Sequence, residues 1–314
     1  MMEKKLQRVC AIVVNWDRKE LTLECLKVLE KLEFGGIDFF VIVVDNGSSD
    51  GSVEAIRKLK FPTFGGAGKI KVIENGENLG YAGGNNVGIK EALRGRADYI
   101  LIMNNDVVPR GDLLTGLVRE MREHGDWGLV SPKIYFAKGF EFHEARYKKN
   151  ELGKVIWYAG GEMDWENVLA SHRGVDEVDE GQYDRRGETD FASGSCMMMK
   201  REMLEEVGMF DEKYFMYWED VDLSRRAMKK GWKVVYSPVT CAWHKVSSSS
   251  AIGSNLNDYF ITRNRLRFGM KYATLRSKMA LIRESVRFVF SGREWQKRGV
   301  KDFCCGRWGR GRWG

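Results

Sequence analysis

The chain has 314 residues, 43% apolar and 30% charged, a length and balance that allow a full core in a soluble globular protein. Its net charge of +7 is uneven: from Arg263 onward 15 Lys and Arg stand against 3 Asp and Glu, leaving an acidic body and a basic tail suited to an anionic surface. No window approaches the roughly 18 apolar residues of a membrane helix, and the run Val9 to Val14 is too brief for a signal peptide.

Val9 to Val14 reads as a buried strand ending at Asn15-Trp16-Asp17, followed by a helix over Lys19 to Leu32 with Leu23, Leu26 and Leu29 at helical spacing. Phe39 to Val44 is a second strand, ending in Asp45-Asn46-Gly47-Ser48-Ser49-Asp50, and a helix over Val53 to Leu59 follows with Asp50 or Ser52 as its cap. Lys69 to Glu74 is a third strand. The stretch Asn78 to Asn86 reads as a glycine-rich loop before a helix over Val87 to Leu93. Tyr99 to Met103, five apolar residues without a break, has the pattern of a parallel strand buried on both faces. It runs into Asn104-Asn105-Asp106 before Pro109 and Gly111.

This alternation predicts βαβ units and a mostly parallel sheet whose polar loops share one edge. From Phe136 to about Asp190 the pattern loosens into an insertion with short strands such as Lys154 to Tyr158. Cys196 to Met199 is a strand, Arg201 to Val207 a helix stopped by Gly208, Val221 to Lys230 a helix and Lys233 to Tyr236 a strand. After Ser247 the chain turns helical. Leu275, Met279, Ile282, Val286 and Val289 recur in steps of three and four, and the end is a Gly-Arg-Trp repeat too glycine-rich to fold alone. A catalytic domain over 1–250 and a basic helical extension over 251–314 with a flexible tail are expected. Six cysteines (Cys10, Cys25, Cys196, Cys241, Cys304, Cys305) lack CxxC spacing and a disulfide framework, which suits a reducing cytoplasm.

The strand-end loops carry the candidate chemistry. Asp45, beside Asn46 and Gly47, can accept hydrogen bonds from a base or ribose, while a helix-capping Asx-turn suits Asp50 better. Gly80 permits close approach of backbone to a ligand, and Asn85-Asn86 directly after the glycines adds amides. Asp106, delivered on a rigid strand, is placed to hold a metal, or else caps the next helix. His244, in Ala242-Trp243-His244-Lys245, offers the imidazole that a single carboxylate would need as a co-ligand. Glu219-Asp220 follow five aromatic residues at a helix start. Aromatic walls raise a carboxyl pKa and suit a general base, while the helix N-terminus pulls the other way. Asp222, one turn in, suits capping or a salt bridge. His124, His143 and His172 have no comparable context.

In this order the motifs VVNW (13–16), VDNGSSDGS (44–52), ENLGYAGGNNVG (77–88), MNNDV (103–107), the stretches 192–212 and 217–232, WH (243–244) and YFITRNRLRF (259–268) resemble the inverting family-2 glycosyltransferases of the GT-A fold, rhamnosyltransferase-type members above all. The resemblance implies a GT-A α/β fold and a nucleotide-sugar donor (dTDP-, UDP- or GDP-linked). It also implies Mn2+ or Mg2+ and a glycan or lipid-linked acceptor in cell-surface polysaccharide or glycoconjugate synthesis. By it Asn15, Asp45, Asn46, Gly80, Asn85, Asn105 and Arg225 are candidates for donor binding, with Asp45 on the base and Arg225 or Arg226 facing the diphosphate. Asp106 takes the last position of the family's DxD motif, with Asn104 and Asn105 where other members carry acids, and His244 joins it as a metal ligand. Asp220, with Glu219, matches the catalytic base. Gly194 lies in the loop toward sugar and acceptor.

Two other classes compete. A nucleic-acid-binding protein would use Trp308 and Trp313 for stacking, but leaves the carboxylate-bearing strand ends unexplained. A nucleotidyltransferase would be expected to have a basic phosphate loop near the N-terminus, and none follows Asn15. The basic stretch Thr274 to Phe290 either lies peripherally on the inner face of a membrane or packs on the catalytic domain.

Overall fold

In the computed structural model, which describes residues 6–59, 70–246 and 254–313, the apolar runs become neighbours in one mixed sheet. β1 (Arg8–Asn15), β2 (Asp38–Asp45), β3 (Ile70–Glu74) and β4 (Tyr99–Met103) are mutually parallel in the order β4-β1-β2-β3. The pairing sets Asn15 against Asp45 and Asp45 against Glu74, so the polar residues that end each run emerge side by side. Alternate residues serve alternate layers, as the strand period of two requires. Val9, Ala11 and Val13 face the side of Leu26 and Leu29, whereas Cys10 and Ile12 face Ile89 and Ala92. The crossovers are α1 (Lys19–Leu29), α2 (Ser52–Arg57) and α3 (Gly80–Arg94).

Beyond β4 come β5 (Val107–Pro109), α4 (Leu113–Glu123) and β6 (Trp127–Phe136). The insertion holds β7 (Ile156–Tyr158), a hairpin of β8 (Gly161–Asp164) and β9 (Leu169–His172), and β10 (Gly187–Glu188). Then follow β11 (Cys196–Lys200), α5 (Arg201–Val207), α6 (Glu219–Lys229) and β12 (Lys233–His244). β11 runs antiparallel between β4 and β6, and β12 runs parallel to β6. The start of β11 and the end of β12 therefore arrive at the same edge as the ends of β1, β2 and β4. The chain finishes in α7 (Asn255–Tyr272), α8 (Leu275–Ser291) and α9 (Glu294–Cys304).

Three expectations change. The glycine-rich stretch from Gly80 is the first two turns of α3, not a loop. Gly88 lets the helix ride directly on β1: a Cβ there would stand 2.5 Å from the Ile12 side chain. β12 does not end near Tyr236 but continues to His244, with a register shift between Ser237 and Cys241 that absorbs Pro238. The terminal repeat, expected to be flexible, is docked. Trp313 packs on Trp295 with ring centroids 4.7 Å apart, Arg312 pairs with the buried Asp302 at 3.1 Å, and the Gly309 carbonyl accepts from Arg263 Nη1 at 2.7 Å. Glycines leave the repeat without a core of its own, and α7 and α9 supply one. Lys69, Ser247 and the expected boundary at 250 lie outside the described residues. No helix among the described residues is long and apolar enough to cross a membrane.

Candidate active site

On the β1–β2 side a chain of polar contacts joins three strand ends. Asp45 and Asn15 are buried, and Asn15 Nδ2 donates to Asp45 Oδ2 at 2.7 Å. Thr22 Oγ1 donates to Asn15 Oδ1 at 2.6 Å, and Asn105 Nδ2 donates to Thr22 Oγ1 at 2.9 Å. Asp45 Oδ1 accepts the backbone N–H groups of Gly47 (3.1 Å) and Ser48 (2.8 Å). Asp45 thus forms an Asx-turn of its own, but one that caps no helix. The Asx-turn at the start of α2 is made by Asp50, as expected, which accepts from the Ser52 N–H at 3.0 Å.

Asn46 and Gly80 hold the loop beside it. Asn46 Nδ2 donates to the Gly80 carbonyl at 3.0 Å and its Oδ1 accepts from Asn75 at 2.7 Å, so both ends of the amide are engaged within the protein. Gly80 has φ +73°, and a Cβ on it would lie 2.5 Å from the carbonyl oxygen and ring of Phe215. The close approach it permits is to Phe215, not to open space for a ligand. Asn85 Nδ2 donates to the Tyr81 carbonyl at 2.9 Å, and Asn86 brackets Phe210, accepting from its N–H and donating to its carbonyl at 3.0 and 2.9 Å.

At the centre Asp106 meets His244. The antiparallel pairing of β5 with β12 sets His244 opposite Val107, and His244 Nε2 stands 3.0 Å from Asp106 Oδ1. These two residues, 138 apart in sequence, are brought together as expected. The insertion packs behind them: the Trp157 ring lies edge-on to His244 at 4.5 Å and to His172 at 4.3 Å. Burial pushes His172 down to about 4, so it is neutral at physiological pH. The sequence offered His172 no context because its neighbour across Trp157 comes from another element. Among the described residues no three His, Cys, Asp or Glu side chains cluster for a metal. A pair still fits Mg2+ or Mn2+, which commonly take one or two protein ligands and fill the rest with phosphate oxygens and water. His244 Nδ1 is buried without a hydrogen-bond partner, and the Asn105 amide is turned to Thr22.

The third group stands at the start of α6. Phe215, Tyr217 and Trp218 all have positive φ (67°, 64° and 75°), a conformation that costs non-glycine residues energy and persists only where the surroundings enforce it. Enforcement comes from both sides. The Ala82 N–H donates to the Phe215 carbonyl at 3.0 Å. From α7, Asn264 Nδ2 lies 2.8, 2.8 and 2.9 Å from the carbonyls of Tyr214, Met216 and Tyr217, and the fully buried Arg263 donates to Tyr214 at 2.9 Å. Arg263 and Asn264 were seen in the sequence as part of a motif but not as a clamp, because the carbonyls they bind carry no side-chain signal.

The clamp delivers Glu219 and Asp220. Glu219 is buried, with Oε2 lacking any hydrogen-bond partner; burial first, and the Asp220 charge second, drive its pKa well above the usual carboxylate range. Burial also raises Asp220, opposed by N–H donors from Gly194 to Oδ2 (3.0 Å) and from Val221 to Oδ1 (2.8 Å). Asp220 takes N–H donors from Gly194 and Val221, whereas Glu219 Oε2 has none, so the surroundings favour the ionised form more at Asp220 than at Glu219. Tyr81 Oη donates to the Gly194 carbonyl, tying α3, the start of β11 and α6 into one contact set. The N–H of Asn104 donates to Ser195 at 2.9 Å, which couples this set to the Asp106 loop. Asp222 is fully buried and accepts from Arg226, Lys271 and Tyr272, the salt-bridge role expected of it. Arg226 is consumed by Asp222 and by the carbonyls of Val207 and Met209. Arg225 instead lies over the Trp165 ring at 4.8 Å with its Nε unpartnered, which leaves it as the cation of the two with donors to spare.

A mixed sheet with carboxylates and an imidazole gathered on one edge, and a desolvated acid facing them from a helix start, has the architecture of a GT-A transferase. Solved structures bear out that fold. A mannosyltransferase of Pyrobaculum calidifontis, in complex with GDP-Man and Mn2+, superposes with a TM-score of 0.55 at 16% identity, over 96% of this chain and 75% of the other. GalNAc-T7 with UDP, GalNAc and Mn2+ gives 0.58 at 13% identity, over 96% of this chain and 57% of the other. The chain belongs to glycosyl transferase family 2, whose model matches residues 10–208. Among curated relatives, the N-acetylglucosaminyl-diphospho-decaprenol L-rhamnosyltransferase of Mycobacterium tuberculosis is 27% identical over 218 residues, 67% of each chain. The low-salt glycan biosynthesis hexosyltransferase Agl10 of Haloferax volcanii is 24% identical over 267 residues, 84% of this chain and 76% of that one. The protein is a glycosyltransferase of glycan synthesis, and the nucleic-acid and nucleotidyltransferase readings fall away.

Proposed function

We propose that the enzyme moves a hexose, rhamnose being the first candidate, from a nucleoside-diphosphate donor to a hydroxyl of a glycan or lipid-linked acceptor, with inversion. The observation that carries this reading is the placement of Asp220: desolvated, held by two N–H donors, and joined through Gly194 and Ser195 to the loop of Asp106. Asp45 and Asn15 form the nucleotide end, with Asn105 linked to them through Thr22. Asn46, Gly80 and Asn85 act in this reading by shaping the loop and helix start beside that end rather than by direct contact.

Asp106 and His244 would hold Mn2+ or Mg2+, which would supply positive charge against the leaving diphosphate. Arg225 adds a cation to the same end. The acceptor oxygen attacks the anomeric carbon from the face opposite the diphosphate, the carbon–oxygen bond to the diphosphate breaks, and the hydroxyl proton passes to an Asp220 carboxylate oxygen. Burial and the Asp220 charge raise the Glu219 carboxyl, which disfavours a second negative charge beside Asp220. A lipid-linked acceptor places the work at the cytoplasmic face of a membrane, with the protein held peripherally.

The test is a donor screen following release of UDP, dTDP and GDP with Mn2+ or Mg2+ and a lipid-linked acceptor, for wild type and Asp220→Asn. The variant keeps the Gly194 contact through its amide oxygen, so donor affinity is expected to hold while transfer falls by about 10²- to 10⁴-fold. Turnover of the variant at the wild-type rate would remove Asp220 from the mechanism.

A further inference from the structure

α8 is folded with its apolar face outward. Leu275, Met279, Ile282, Val286, Val289 and Phe290 are between 46% and 79% exposed. At a rotation of about 100° per residue these six fall within an arc of about 100°, one continuous stripe along the helix. Contact with the body is made by other positions, Ser277, Leu281 and Phe288. Leu281 packs against Gly269 of α7, and Ser277 Oγ donates to the Trp165 carbonyl at 2.9 Å. The apolar stripe is therefore not the helix's packing face.

Its flanks are cationic. Arg276, Arg283 and Arg287 follow one border and Lys278 the other, and none of the four is in an ion pair among the described residues. The one acid of the helix, Glu284, is turned away and paired with Arg265 at 2.7 Å. An aliphatic stripe bordered by unpaired Arg and Lys complements a surface that is apolar below and anionic above, the layering of an acidic lipid leaflet. A nucleic acid would match the cations but not six exposed apolar side chains, five of them aliphatic.

We propose that α8 is an interfacial helix that seats the enzyme on an anionic lipid surface. The packing face of α8, opposite the stripe, is connected to the proposed reaction centre. Trp165, whose carbonyl receives Ser277, also carries the Arg225 guanidinium, and Arg225 lies on α6 little more than one turn past Asp220. The surface claim is separable from the chemistry, because vesicle binding is read without substrate and transfer can be read on a soluble acceptor.

Co-sedimentation of the full chain with phosphatidylcholine vesicles, with and without phosphatidylglycerol, tests it. Wild type is expected to sediment with the anionic vesicles and to be released by salt. Met279→Gln with Val286→Gln, and separately Arg283→Gln with Arg287→Gln, are expected each to weaken partitioning by about tenfold or more, since each cation near such a surface contributes severalfold. Melting temperature and donor hydrolysis stay at wild-type values, the altered side chains being solvent-facing. Wild-type protein that stays in the supernatant overturns the proposal, as do variants that bind like wild type. Sedimentation velocity covers the other occupant: a wild-type dimer split by the Met279/Val286 variant, with vesicle binding unchanged, would make the stripe a contact between copies.

Discussion

At the scale of single residues, the site turns on carboxylates in unequal surroundings. Glu219 is buried with Oε2 unpartnered and Asp220 takes N–H donors from Gly194 and Val221, so the two neighbouring acids are pushed unequally from the ordinary range near 4. A base must be ionised to accept a proton. The acid limb of kcat/KM is therefore expected above the ordinary carboxylate range, and a rate profile flat down to pH 4 would contradict it. Stability follows the opposite sign. A carboxyl whose folded pKa is raised favours the folded state while protonated, and that contribution is lost as pH rises through the raised value. Glu219→Gln is accordingly expected to melt higher than wild type at pH 8 and level with it near pH 4, by calorimetry. The Asp106–His244 pair predicts that Asp106→Asn weakens Mn2+ binding in a titration at fixed UDP, and that chelation of the cation stops transfer. His244→Gln, which keeps a polar side chain, should lose part of the affinity rather than all. The positions of Asp45 and Asp220 were legible because one ends the strongly patterned β2 and the other opens α6 behind a run of aromatic residues. The engagement of Asn46 by Gly80 and Asn75, and the closeness of Gly80 to Phe215, were not, since they are contacts between loops far apart in sequence.

At the scale of elements, legibility followed periodicity. β1, β2, β4, β11 and α5 fall within a residue or so of their expected bounds because uninterrupted apolar runs and a glycine stop leave little choice. The sequence pattern shows only the second half of α3, because glycine is a poor helix former in isolation. Its real criterion is space against β1, which no local pattern reports. β6, the long strand that carries β12, went unassigned, and β12 was cut at Pro238 although a bulge accommodates it. The element pairing of greatest mechanistic weight is α7 with the strained segment before α6. Asn264→Ala removes the amide that reaches three carbonyls and leaves them buried, at a cost of about 1–3 kcal/mol in stability. If the clamp sets the aim of Asp220, kcat is expected to fall at least tenfold with donor KM unchanged, in protein that still melts cooperatively. A loss confined to stability would show the clamp to be structural only.

At the scale of the whole molecule, two halves of a sheet meet at β4, one bearing Asp45 and Asn15, the other Gly194 and His244. The basic C-terminal part braces the second half. Trp313 and the Gly309 carbonyl rest on α7, whose Arg263 grips the segment before Glu219. Removal of the chain from Gly306 onward is expected to strip Arg263 and Asp302 of partners, lower the melting temperature and loosen this half while sparing donor affinity, which nucleotide titration would read.

The reversed strand β11 also bears on how the polypeptide is made. Until Cys196–Lys200 has been synthesised, β4 has β1 on one side and a bare row of amides and carbonyls on the other, with Tyr-Ile-Leu-Ile-Met along it. An open edge of five apolar residues is a template for pairing with another nascent chain. Fragments that stop short of Cys196 should accordingly precipitate where the full chain stays dispersed, and the interval between the two strands is when this protein most needs a chaperone.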